Sequence, residues 1–118
     1  MTRNEYNGWA NYETWCVNLW IDDDADSQTQ WRNRAQAAYD AADAPSANAR
    51  LTGREPFTRD EKAVLALEKQ LKAHFESESP LDDANVWADL LNAALSEVNW
   101  HEIAQGIVEG VSKETIEA

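Results

Sequence analysis

The chain has 118 residues, a formal net charge of −12, six tryptophans and one cysteine. That length fits one domain burying roughly two-thirds of its unfolded surface. A lone Cys16 excludes an internal disulfide, and no apolar run approaches the roughly 20 residues of a membrane helix. The polar start from Met1 to Gly8 has no signal-peptide core, so the expected location is the cytoplasm.

In chain order the pattern is helical. Asn7 and Gly8 form a turn leading in, with Trp9 placed to pack back on the first turn of the helix that Asn11 caps. This helix runs to Trp20 or Ile21. Its apolar residues Tyr12, Trp15, Cys16, Leu19 and Trp20 fall at i, i+3, i+4, i+7 and i+8, which predicts one wide core-facing stripe. Asp22, Asp23 and Asp24 end it, and Asp24 or Asp26 caps a second helix over about 27–44. Trp31, Ala35, Ala38, Tyr39 and Ala42 make the buried stripe of that helix, and Pro45 stops it. Residues 45–57 read as a mobile loop carrying Arg50 and Arg54.

Thr58 and Glu61 form a capping box for a third helix to about Glu76. Val64, Leu67, Leu71 and Phe75 are its apolar face, and Glu68 with Lys72 is a supportive i,i+4 pair. Asp82 or Asp83 opens a fourth helix to about Val98, with Trp87, Leu90, Leu91, Ala94, Leu95 and Val98 facing the core. Asn99 then caps a last helix in a capping-box-like start with Glu102, carrying Ile103, Ile107, Val108 and Val111. Gly106 and Gly110 weaken it, and its tail frays after Ser112. The expected fold is all-α: one compact domain over 1–118, a bundle of about five helices.

The charge is uneven. Residues 1–31 carry a balance of −5, residues 32–76 a balance of +1, and residues 77–118 a balance of −8. Such a chain repels nucleic acid and is drawn to basic surfaces. The plainer reading of the same charge is a well-solvated or salt-adapted surface. Catalytic and metal motifs fail at defining positions. His101-Glu102 lacks the second histidine of a zinc-protease helix, because position 105 is Gln. Asp22, Asp24 and Asp26 match the first three ligands of a calcium loop, but its glycine is Ser27 and its glutamate is Asn33. Cys16 sits on an apolar helix face as a structural thiol. No phosphate-binding glycine loop and no nucleophile elbow occurs. The expectation is therefore a non-enzyme with no metal and no cofactor.

The phrase from Asn7 to Asp24 resembles the N-terminal signature of a family of small proteins encoded by phages, prophages, plasmids and some archaeal elements, G-W-x-N-Y-x-T-W-x-V-x-L-W. The matching residues are Gly8, Trp9, Asn11, Tyr12, Thr14, Trp15, Val17, Leu19 and Trp20. The block from Asp89 to Ala104 is similar to that family's C-terminal signature. The family supplies no catalytic residues to transfer. What the resemblance implies is a mobile-element protein working in the host-cell cytoplasm, a setting in which small acidic proteins act against host defence.

Joined to the charge, this gives an expected function: a non-enzymatic inhibitor of anti-CRISPR or anti-restriction type. It would occupy a basic, nucleic-acid-gripping surface of a host defence complex, including as a DNA mimic. The expected binding residues are Asp22, Asp23, Asp24 and Asp26 at one helix junction and Glu78, Asp82, Asp83 and Asp89 around another. If the first and fourth helices pack together, these form one face. Trp9 and Trp20 are the aromatic alternative, as hot-spot anchors of an assembly module. A small enzyme with an unrecognised site is the third reading.

Overall fold

The computed structural model describes residues 6–42, 57–80 and 84–117, with side chains of 114–117 left undescribed. Among the described residues there are five helices and no strand. They are α1 (Tyr12–Asp23), α2 (Ala25–Ala41), α3 (Arg59–Ser77), α4 (Val86–Ser96) and α5 (Trp100–Glu117). The all-α bundle is as expected. The loop at 45–57 lies outside the described residues apart from Phe57.

Helices α2, α3 and α5 pack on one another in pairs, and α1 lies chiefly against α2 with a lesser contact on α5. The core they share holds Ile21, Trp31, Ala35, Tyr39, Val64, Leu67, Leu71, Trp100, Ile103, Val108 and Val111. Leu67, Leu71, Ile103 and Val108 are its most deeply buried side chains, and an aromatic stack runs from the core to its half-buried edge. Phe75 lies over Trp100 with ring centres 5.5 Å apart and over Trp31 at 6.3 Å, and His74 meets Trp31 edge-on at 5.2 Å. Arg34 covers Trp31 and Arg59 covers Tyr39, at 4.5 and 4.1 Å from the ring centres. The long side chains thus close the core's edge with their stems and offer the charge to water.

Local chemistry sets the helix ends. Asn7 and Gly8 both have positive φ, 49° and 87°. They make a two-residue reversal in which Tyr6 and Trp9 exchange backbone hydrogen bonds of 2.8 and 2.9 Å. Asn-Gly suits this turn because both positions need the left-handed region. Trp9 then packs on the core, its ring reaching α5 rather than only the first turn of α1. Asp24 closes α1 and opens α2, accepting from the Asp26 backbone N–H at 3.3 Å. That cap starts α2 two residues before the expected Ser27. The helix ends at Ala41, where the Ala42 N–H closes back on the carbonyls of Ala38 and Tyr39, so Pro45 is not its stop. At α3 the capping box is complete, with Thr58 and Glu61 each taking the other's backbone N–H at 3.1 Å.

Two expected faces are corrected. On α1 the buried residues are Thr14 and Ile21 with Val17 half-buried, a stripe at i, i+3 and i+7. The large apolar residues point elsewhere: Tyr12, Leu19 and Trp20 are exposed. Tyr12 and Trp15 instead gather with Tyr6 in an outer aromatic cluster, ring centres 4.8–5.5 Å apart. On α4 the start is Asn85, whose side chain accepts from the Ala88 N–H at 2.8 Å; Asp82 and Asp83 lie outside the described residues. Of the expected core face of α4, Trp87 and Leu90 are exposed, whereas Ala88 is buried and Leu91, Ala94 and Leu95 are half-buried. Val98 is buried beyond the helix end.

Candidate functional site: an acidic junction beside an exposed tryptophan

Among the described residues the α1–α2 junction carries the longest run of exposed carboxylates. Asp22, Asp23, Asp24 and Asp26 are all exposed, within five consecutive positions where one helix turns into the next. Asp22 accepts a 3.1 Å hydrogen bond from Asn18, one turn back on α1, and Asp24 serves as the cap of α2. Trp20 stands two positions before Asp22, with the buried Ile21 between, and is 67% exposed. Behind the junction lies a cleft of about 270 Å³ lined by Trp9, Ile21, Asp22, Trp31, Arg32 and Gly106, among others. Carboxylates at the rim, an indole beside them and a shallow recess behind suit a basic protein surface: acids attract Lys and Arg, and a tryptophan face accepts a guanidinium. Among the described residues no group of three or more His, Cys, Asp and Glu is placed to hold a metal ion.

The other expected acidic residues are dispersed. Glu78 is exposed at the C-cap of α3, and Asp89 is exposed in the first turn of α4. Asp82 and Asp83 lie outside the described residues. The condition for the two acidic junctions to form one face, that α1 and α4 pack together, is not met: α1 lies along α2 and α5. What ties α1 to α4 is a 2.6 Å hydrogen bond from the Asn11 side chain to the Glu97 carbonyl, joining the start of one helix to the end of the other. Trp9, the alternative anchor, is half-buried against the core and serves packing.

Sequence reasoning missed a polar clasp between the two motif blocks. The Thr14 hydroxyl, fully buried, donates to Asn11 at 2.6 Å and accepts from the Asn99 N–H at 2.8 Å. Asn99 in turn caps α5 by accepting from the Glu102 N–H at 3.1 Å. In a closed capping box Glu102 would reach back to the Asn99 N–H. Here the carboxylate accepts from the Ala10 N–H at 2.9 Å, and Thr14 takes the Asn99 N–H in its place. The box is opened and shared across the fold. The signal was present as Thr14, a small polar residue in register with Val17 and Ile21.

The second feature near α5 is His101, whose Nδ1 lies 2.9 Å from the Glu68 carboxylate on α3. Both side chains are partly exposed, so the pair is a surface link between helices. It borders a second cleft of about 390 Å³ that also meets Phe57, Val64 and Val108.

No curated protein and no solved structure matches the chain. A family model matches residues 2–110, spanning both motif blocks and the segment between them. The clasp ties the two blocks together within that extent, because the Asn99 N–H is taken by Thr14 and the Ala10 N–H by Glu102. The chain belongs to a family of unknown function, DUF7249.

Proposed function

We propose that this protein is a non-enzymatic inhibitor that binds a basic, nucleic-acid-handling host complex through the α1–α2 acidic junction. The setting is a phage- or plasmid-borne protein acting against host defence. The observation that carries the proposal is the exposed run Asp22, Asp23, Asp24 and Asp26 beside Trp20. A surface that grips DNA presents rows of Lys and Arg, and carboxylates pair with that surface in the place of phosphate. Charge brings the partners together quickly, while a desolvated aromatic supplies much of the affinity. Trp20 is the anchor in this arrangement. Asp24 contributes less to binding because its side chain also caps α2.

The test uses a purified restriction or CRISPR complex and its DNA target. The tagged protein is expected to bind the complex, compete with DNA and elute as salt is raised. Asp22→Asn, Asp23→Asn and Asp26→Asn together leave the Asp24 cap intact and are expected to weaken binding at least tenfold. Binding that ignores both salt and the triple variant would sink the proposal.

An assembly module held by aromatic contacts is the second reading. It is favoured by Trp87, exposed to the same 67% as Trp20 on a different helix.

A further inference from the structure

Helix α1 has two faces at helical spacing, and the core takes only one of them. Thr14, Val17 and Ile21 turn inward. On the outward face stand Tyr12, Trp15, Cys16, Leu19 and Trp20, at i, i+3, i+4, i+7 and i+8. Tyr12, Leu19 and Trp20 are exposed to 53%, 42% and 67%, with Trp15 and Cys16 half-buried between them. Tyr6 extends this face beyond the start of the helix, its ring 5.1 Å from Tyr12 and 4.8 Å from Trp15. At its other end the face changes from apolar to charged. Asp23 lies one turn beyond Leu19, Asp22 is beside it, and Asp24 and Asp26 follow at the start of α2. No base stands in the last turn of α1, although the negative end of a helix favours a cation.

We propose that the outward face of α1 receives an amphipathic helix of the partner. The apolar stripe of that helix lies along Tyr12, Leu19 and Trp20, and its Lys or Arg residues meet the carboxylates of the α1–α2 junction. The inference rests on the junction as the binding site and names the element docked there. Shape and charge together select that occupant. Helix α1 has 12 residues and is about 18 Å long. Side chains at its spacings form ridges that interleave with those of another helix. Among the described residues there is no strand whose edge an extended segment could join. An apolar helix without bases leaves the carboxylates unmatched, and a basic segment without apolar residues leaves Leu19 and Trp20 in water. A second copy of this chain is a poor match. Arg3 is the one base in residues 1–31, so the α1 of a second copy brings further carboxylates and no cation from its own helix.

Two fluorescein-labelled peptides of leucine and lysine, each of about 18 residues, test it. One places its leucines on a single helical face, and the other has the same composition in scrambled order. Each is titrated with the protein at low and high sodium chloride and read by fluorescence anisotropy. The amphipathic peptide is expected to bind roughly tenfold more tightly than the scrambled one, because only it matches apolar face and charge at once. Tyr12→Gln and Leu19→Gln are each expected to weaken it several-fold with unchanged helical circular dichroism, since both side chains are exposed. Tyr12 begins α1 and the carboxylates end it, so Tyr12→Gln separates docking along the helix from contact at the junction alone. Equal binding of the two peptides overturns the inference, as does no binding at low salt or binding that ignores both glutamine variants. It is overturned equally if sedimentation shows a dimer of the free protein that Leu19→Gln dissociates, because a second copy then covers the face. The inhibitor reading is decided separately, on the defence complex with the Asp22, Asp23 and Asp26 triple variant. Loss of binding there with the triple variant but not with the glutamine variants sustains that reading and overturns this one.

Discussion

Thr14 shows how much one small side chain can hold. It is buried at 0% exposure, and its hydroxyl serves two partners, one of them 85 positions away. Thr14→Val keeps the volume and removes both bonds, leaving the Asn99 N–H without its acceptor. That change is expected to destabilise the fold by about 1–3 kcal/mol, the cost of an unmet polar group in a part-buried site. Thr14→Ser retains the hydroxyl and is expected to recover much of the loss. Urea unfolding of the three proteins decides it; equal midpoints for all three would show that the clasp contributes nothing. Gly8 is constrained by its backbone rather than by contacts: its φ is +87° and no atom lies within 4 Å of an added Cβ. Gly8→Ala is expected to cost about 1 kcal/mol through the left-handed backbone alone, read in the same unfolding assay.

At the scale of helices, tryptophans divide by face. Trp31→Ala on α2 empties a core position that is 2% exposed and is expected to cost about 3–5 kcal/mol. Trp20→Ala on α1 removes a side chain standing in water and is expected to shift stability by less than about 0.5 kcal/mol; thermal unfolding separates the two. Helix α5 carries an opposite opportunity. An added Cβ at Gly106 meets only the Trp9 ring at 3.9 Å, an ordinary contact, and at Gly110 nothing within 4 Å. Gly106→Ala and Gly110→Ala are each expected to stabilise by about 0.5–1 kcal/mol, because alanine restricts the unfolded chain and favours helix. A fall in the unfolding midpoint for Gly110→Ala would show that the glycine is required where α5 passes. The stripes of α2 and α3 and the Thr58 capping box were legible in the sequence because burial there follows a single helical spacing, Trp31, Ala35 and Tyr39 on α2 and Val64, Leu67 and Leu71 on α3. The face of α1 was not. Tyr12, Trp15, Leu19 and Trp20 repeat at the same helical spacing as Thr14, Val17 and Ile21, and periodicity cannot choose between two stripes. The buried stripe is the one that makes the tertiary contacts, the Thr14–Asn99 bond and the core packing of Val17 and Ile21. Helix α4 misled for a related reason: its composition reads as core on both sides, while the fold covers one. The carboxylates were legible as charge at two helix junctions, but whether the two junctions meet was not, since it depends on α1 lying along α2 and α5.

Across the whole molecule the fold arranges its charge as well as its apolar surface. The two acidic ends, at −5 and −8, flank a middle segment of +1 in the sequence. Helix α5, from the more acidic end, packs chiefly on α2 and α3, which belong largely to the near-neutral middle, and much less on α1. Glu68 on α3 meets His101 on α5, and Asp60 is held by the Ser112 hydroxyl at 3.2 Å rather than by a second carboxylate. This arrangement keeps the acidic ends from packing extensively on each other, yet it leaves a net −12 to be held within one small domain. Like charges at that density repel across the surface, and the repulsion is relieved on unfolding. Salt shortens its reach from about 30 Å at 0.01 M to about 10 Å at 0.1 M. The unfolding midpoint is therefore expected to rise by several degrees as sodium chloride is raised through that range, and to rise further for a variant only if its added charge is negative. Asp23→Asn, in an exposed position without a cap to lose, is expected to raise the midpoint at low salt and to leave it unchanged at high salt. A midpoint that falls with sodium chloride would mean that attractive pairs between the helices outweigh the net charge, and that the acidic junction is held by the fold rather than offered to a partner.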